Sequence, residues 1–281
     1  MRAFEAALVQ MCATGDPEAS IARAVALTED ALGRGAELVV LPENFGGIGG
    51  PDARASWAFD PAAPERSPAI APFVARSRES DAVIVLGGHP QRVDATHTAN
   101  VLLVLRRGRI VARYRKLHLF DADLPDGTKL RESSHTVAGT EASAIACDLG
   151  TIGLSICYDL RFPELYRALS SAGAELVVVP SAFTLLTGLA HWEPLLRARA
   201  IENQMFVLAA AQHGVHGPGR YSYGHSMIVD PWGTVIAQAG EGDAIVHARL
   251  DPTALALART RLPALTHRKL ATDHPVDVVI C

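Results

Sequence analysis

What most constrains this 281-residue chain is its rhythm, in which apolar runs of strand length alternate with amphipathic stretches almost from end to end. Phe4–Gln10, Glu37–Leu41, Ala82–Leu86, Ala99–Leu105, Ile110–Tyr114, Ala144–Cys147 and Ile152–Ile156 read as strands. So do Glu175–Val179, Phe206–Ala211, His225–Val229, Val235–Ala237 and Ala244–Leu250. Pro17–Arg34, Ser67–Ser80, Pro163–Ser171, His191–Gln204 and Pro252–Arg261 read as helices. The first of these has Asp16 as a candidate N-cap, Pro17 in its first turn and Gly35 just past its end. Arg106-Arg107-Gly108-Arg109 is a hairpin turn. Gly46–Pro68, rich in Gly, Pro and Ala, reads as a surface loop, and Asp121–Gly139 shows no clear period. Strands outnumber helices, and βαβ units mix with hairpins. This predicts an α/β fold of layered sheets covered by helices rather than a pure doubly wound sheet. No composition break, linker or repeat divides the chain. Residues 1–270 therefore read as one domain and 271–281 as a C-terminal tail.

Composition removes several function classes. An apolar content of 49% is incompatible with disorder, and a chain of this length can bury about 75% of its unfolded surface. The 26 basic residues against 30 acidic ones leave a charge of −4 with no dominant Lys/Arg run, which argues against a nucleic-acid partner. Cys12, Cys147, Cys157 and Cys281 lie far apart without a CxxC pair. That spacing argues against a disulfide framework or zinc ribbon and suits a reducing cytoplasm. Glu5 interrupts the first apolar stretch, which a signal peptide avoids, and no run approaches the ~20 residues of a membrane helix. The expectation is a cytoplasmic protein with no membrane partner.

Three reactive side chains stand at equivalent places. Glu43, Lys116 and Cys157 each follow a predicted strand, and ligand sites of α/β proteins gather at carboxyl ends of strands. They share one pocket if those strands are neighbours. Cys157 sits where a strand turns into a helix, a setting that can lower a thiol pKa to about 3.5–7.5. It is a candidate nucleophile, or else a small core residue. Glu43 is a candidate general base, or a carboxylate that satisfies backbone N–H groups. Lys116 is one of only three lysines, with Lys129 and Lys269. It could hold a developing oxyanion or simply be a solvated strand-end lysine. Glu132 is a loop carboxylate without context. His213, His216 and His225 follow no zinc spacing, so no metal site is expected. Gly46–Gly50 lacks the Lys-Ser/Thr of a phosphate loop. Trp192, Leu195 and Leu196 mark a helix core face or a subunit contact.

Taken in order, Pro42-Glu43-Asn44, Arg115-Lys116-Leu117-His118 and Ile156-Cys157-Tyr158-Asp159-Leu160-Arg161-Phe162-Pro163-Glu164-Leu165 resemble the nitrilase superfamily of carbon–nitrogen hydrolases. The resemblance runs from about residue 3 to 268. It implies a four-layer αββα sandwich and a homodimer, or higher homo-oligomer, joined through its helical face. It also implies a Glu–Lys–Cys triad with Glu43 as base, Cys157 as nucleophile and Lys116 as oxyanion stabiliser. The Tyr158 backbone N–H would share the oxyanion, and Glu132 would orient Lys116 or help place the substrate. Neither metal nor organic cofactor is implied.

Tyr158-Asp159 stands where true nitrilases usually carry Trp-Glu, which favours an amidase. The stretches around Phe183–Glu202 and Arg220–Gly233 most resemble the branch containing deaminated glutathione amidases, with the ω-amidases as close relatives. Other linear amides, including N-carbamoyl compounds, remain open, as does a catalytically idle scaffold. The substrates of that branch carry a carboxylate beside a ketone, so a cation or amide donors should meet that end. Arg161 and Arg220 are the candidates, with Phe183 as a pocket-lining residue.

Overall fold

The computed structural model describes residues 1–125, 127–270 and 276–281. One sheet of six strands contains β1 (Phe4–Gln10), β2 (Leu38–Val40), β3 (Val83–Arg92), β4 (Thr98–Arg106), β5 (Arg109–Arg115) and β16 (Ala244–Leu250), in the order β16-β1-β2-β3-β4-β5. Two short hairpins stand apart: β6 (Asp121–Asp123) with β7 (Lys129–Arg131), and β12 (His213–Gly217) with β13 (Arg220–Tyr223). A second sheet has seven strands: β8 (Ala142–Cys147), β9 (Gly150–Leu154), β10 (Leu176–Val178), β11 (Phe206–Ala209), β14 (Met227–Val229), β15 (Val235–Gln238) and β17 (Val276–Ile280). Its order is β15-β14-β11-β10-β9-β8-β17. The helices are α1 (Pro17–Gly33), α2 (Pro51–Trp57), α3 (Ala71–Glu79), α4 (Pro163–Ser171), α5 (Leu185–Asn203) and α6 (Pro252–Arg261).

Side-chain alternation builds the layers. Phe4, Ala6 and Leu8 of β1 join Leu38, Val40, Val83 and Val85 in a core shared with Ile152, Leu154, Leu176 and Val178 of the second sheet. Ala7, Val9, Val39, Ile84 and Leu86 point the other way, against Ala24, Leu27, Phe73 and Val74 of α1 and α3. Helices α4 and α5 cover the outer face of the second sheet through Leu165, Leu169, Trp192 and Leu196. The result is the four-layer αββα arrangement. Because β2 is buried on both faces, it reads as a continuous apolar run.

Each sheet has a parallel core: β1, β2 and β3 in one, β9, β10 and β11 in the other. The ladders explain several departures from the sequence reading. β3 does not stop at Gly87-Gly88 but bulges there and continues to Arg92. A Cβ on Gly87 would overlap the Pro42 carbonyl and lie 2.6 Å from the Leu41 carbonyl oxygen, so glycine is required for β3 to pass the end of β2. The expected loop over 46–68 contains α2, and the patternless stretch 121–139 contains the β6–β7 hairpin. Helix α5 starts at Leu185 rather than His191. At the chain end, β17 adds to the edge of β8 in parallel. Residues 271–275 of the tail lie outside the described residues.

Candidate active site

Glu43, Lys116 and Cys157 meet, although their strands are not sheet neighbours. In the first sheet β3 and β4 separate β2 from β5, while β9 belongs to the second. The strand ends converge because the two sheets face each other. Glu43 is 4% exposed, Lys116 2% and Cys157 6%. Lys116 Nζ donates to Glu43 Oε1 at 3.1 Å and to Glu132 Oε2 at 2.8 Å. Asn100 Nδ2 donates to both carboxylates, at 2.8 Å to Glu43 and 3.3 Å to Glu132. The Phe120 N–H holds Glu132 Oε2 at 2.7 Å, and the Ala182 N–H holds Glu43 Oε2 at 3.1 Å. From behind, Gln212 Nε2 donates to the Glu43 carbonyl at 3.0 Å. Every charge in this cluster is thus fixed by at least one further donor or acceptor, as buried ions require.

Electrostatics sets the resting protonation. Burial disfavours the Lys116 cation, but the charges of Glu132, Glu43 and Cys157 outweigh it and hold its proton more tightly than usual. Burial likewise works against the Glu132 carboxylate, yet the adjacent Lys116 keeps it ionised below the ordinary range. For Cys157, burial and the Glu43 charge push the thiol well above its usual value, against the opposing pull of Lys116 and the Ala182 N–H. The sequence expectation of a low-pKa thiol is therefore reversed. The balance favours the protonated thiol beside Glu43, an arrangement in which a base removes the proton as attack occurs.

The turn that presents Cys157 is held by a buried acid. Cys157 has φ +50°, a left-handed conformation costly for a side-chain-bearing residue, and its N–H bonds the Pro180 carbonyl at 2.9 Å. Asp159 Oδ2 accepts from Tyr114 Oη at 2.8 Å and from the Ile156 N–H at 2.9 Å. Asp159 Oδ1 meets His118 Nδ1 at 2.7 Å and accepts the His118 N–H at 3.0 Å. The His118 ring stacks on Phe162, with centroids 3.7 Å apart. One carboxylate therefore ties the Cys157 turn to the strand end that carries Lys116. Tyr158 is the second residue of the short helical turn 157–161, where an N–H lacks an intrahelical partner.

A cavity of about 540 Å³ opens over the cluster and is lined by Glu43, Lys116, Glu132 and Cys157. Of the candidate specificity residues, Arg220 also lines it. Arg161 and Phe183 do not. Phe183 packs into the core against Trp192, with centroids 4.9 Å apart. The Arg161 guanidinium lies over the Phe183 and Tyr158 rings and meets His191 Nδ1 at 3.2 Å. Trp192 is fully buried and donates to the His225 carbonyl at 2.8 Å, so it serves the core. His213 and His216 bond separately, to Asp243 and to the Ala13 carbonyl. Among the described residues no three His, Cys, Asp or Glu side chains converge as a metal site. The sequence reading missed Asn100, Asp159, Gln212 and the cavity residue Arg54. Only Asp159 carried a signal, being an acid two residues after the candidate nucleophile.

The chain is similar to several known proteins. The family model described as carbon-nitrogen hydrolase matches residues 5–260. A deaminated glutathione amidase of a Synechocystis species is 40% identical over 280 residues, covering 95% of this chain and 99% of that protein. The Bos taurus protein of the same name is 42% identical over 269 residues, covering 94% of this chain and 81% of that one. The crystal structure of the C. elegans NitFhit protein superposes with a TM-score of 0.88 at 41% identity, covering 96% of this chain and 66% of that longer chain.

Proposed function

The chain belongs to the carbon–nitrogen hydrolase family, and from that premise we propose that it hydrolyses deaminated glutathione to 2-oxoglutarate and Cys-Gly. The substrate reading is supported by the relatives of that name at 40–42% identity across nearly the whole chain. The chemistry is carried by one observation: Glu43, Lys116 and Cys157 are buried together at one cavity, with Lys116 Nζ donating to Glu43 Oε1 at 3.1 Å.

In this reading Glu43 takes the thiol proton as Sγ forms a bond to the amide carbonyl carbon. The carbonyl oxygen becomes an oxyanion, held by Lys116 Nζ and the Tyr158 N–H. Glu132 and Asn100 keep Lys116 aimed. Collapse breaks the C–N bond, and the amine leaves with the proton from Glu43. Water then gives a proton to Glu43 and attacks the thioester. The acid departs and Cys157 recovers its thiol proton.

The test is 2-oxoglutarate release from deaminated glutathione and from 2-oxoglutaramate, offered separately. Faster release from the first is expected, with none from the Cys157→Ala protein. The opposite preference makes the chain an ω-amidase. No release from either overturns the substrate assignment, and undiminished turnover by Cys157→Ala overturns the mechanism.

A further inference from the structure

Arg54, on α2, lines the cavity yet takes no part in the chemistry above. It is 7% exposed, and its one hydrogen bond runs from Nη1 to Asn44 Oδ1 at 2.8 Å. Its Nε and Nη2 are buried without a hydrogen-bond partner among the described residues. Glu132 feels its charge but pairs with Lys116 instead. A buried guanidinium lacking a counter-ion is costly, so its presence calls for a ligand of opposite charge.

A second guanidinium faces the same space. Arg220, on β13, lines the cavity mouth and donates from Nη1 to the Gly49 carbonyl at 3.1 Å. Its surroundings and the positive charge of Arg54 both lower its proton affinity, while Glu43 and Glu132 act the other way. Two cations are thus gathered against their mutual repulsion, with donors left over. Planar forks of this kind match the two oxygens of a carboxylate.

We propose that Arg54 and Arg220 form a carboxylate-binding subsite for the acyl half of the substrate, with Arg54 as the deep anchor and Arg220 as the outer clamp. The choice of half rests on the function proposed above. In a 2-oxo acid amide the carboxylate carbon lies four bonds from the scissile carbonyl, a reach of about 5 Å. Its anchor must therefore sit deep and near the base, and Arg54 is buried against Asn44, the residue after Glu43. The leaving half points to the open side.

The test uses ligands simpler than the proposed substrate, so it stands if that substrate fails. Glutaramate and butyramide carry the same terminal amide, with and without a carboxylate. Their binding to Cys157→Ala protein is measured by calorimetry, alone and combined with Arg54→Gln or Arg54→Lys. Glutaramate is expected to bind the Arg54 protein and to weaken at least tenfold in Arg54→Gln. Butyramide should change less than threefold, and Arg54→Lys should keep part of the preference. Equal weakening of both ligands, no weakening of glutaramate, or no glutaramate binding to the Arg54 protein overturns the proposal. If Arg54→Gln fails to fold, Arg54→Lys and Arg220→Gln decide it by the same comparison.

Discussion

Asp159 has no exposed surface, and both of its oxygens are occupied by donors from two different segments. Asparagine has nearly the same shape but would turn an N–H₂ toward a group that already donates. Hydrogen bonds to a buried charge contribute about 1.5–3 kcal/mol each. Asp159→Asn should therefore lower unfolding free energy by about 2–4 kcal/mol. It should also reduce kcat more than it changes KM, because the Cys157 turn loses its tie to the strand end bearing Lys116. Urea denaturation with steady-state kinetics checks both, and a normal kcat at reduced stability would confine Asp159 to folding. Glu43, Lys116 and Cys157, which line one cavity, were legible residue by residue, because a titratable group directly after an apolar strand is a local signal. Arg54 was not. Its meaning depends on the partners it lacks in the folded chain, and it lies in a Gly/Pro/Ala-rich stretch that reads as loop.

β3 passes close against the end of β2, and that passage depends on Gly87. A methyl there meets backbone oxygens of Leu41 and Pro42, which cannot swing aside as a side chain can. Gly87→Ala should cost about 1–3 kcal/mol through overpacking. It should also cut kcat at least tenfold by shifting Glu43, since small misplacements of catalytic groups are costly. A thermal melt and kcat measured together test this, and unchanged kcat would show that the strand end absorbs the shift. The regular elements were legible where a single rule governs them. β1 and α4 match their expected ranges because an apolar run is bounded by clear punctuation. The first turns of α5 were hidden because Leu185–Ala190 has no helical stripe, and Gly188 is set by a close approach to Tyr223 from the β12–β13 hairpin. That hairpin was itself hidden among glycines and histidines that resemble a loop. Convergence of three strand ends from two sheets could not be read from strand order, since it arises only when the sheets stack.

For the molecule as a whole, two buried histidines set an acid limit. Burial holds both His89 and His216 down at about 4, from an ordinary 6.5. Both are neutral in the fold, while the unfolded chain takes up their protons as pH falls through 6.5. Stability is therefore complete above about pH 6.5 and declines as pH falls toward 4. Full titration of each site costs on the order of 3 kcal/mol. Denaturation midpoints at pH 7.5, 6 and 5 should fall progressively, and His216→Asn should flatten the slope. A stability flat from pH 7.5 to 5 would rule out this linkage. The neutral state of Cys157 has a consequence on a longer timescale. Thiolates attack disulfides and oxidants, and a buried thiol kept protonated is a poor nucleophile toward them. In the proposed mechanism Cys157 becomes reactive only as its proton passes to Glu43, so this one thiol is sheltered from oxidation between turnovers.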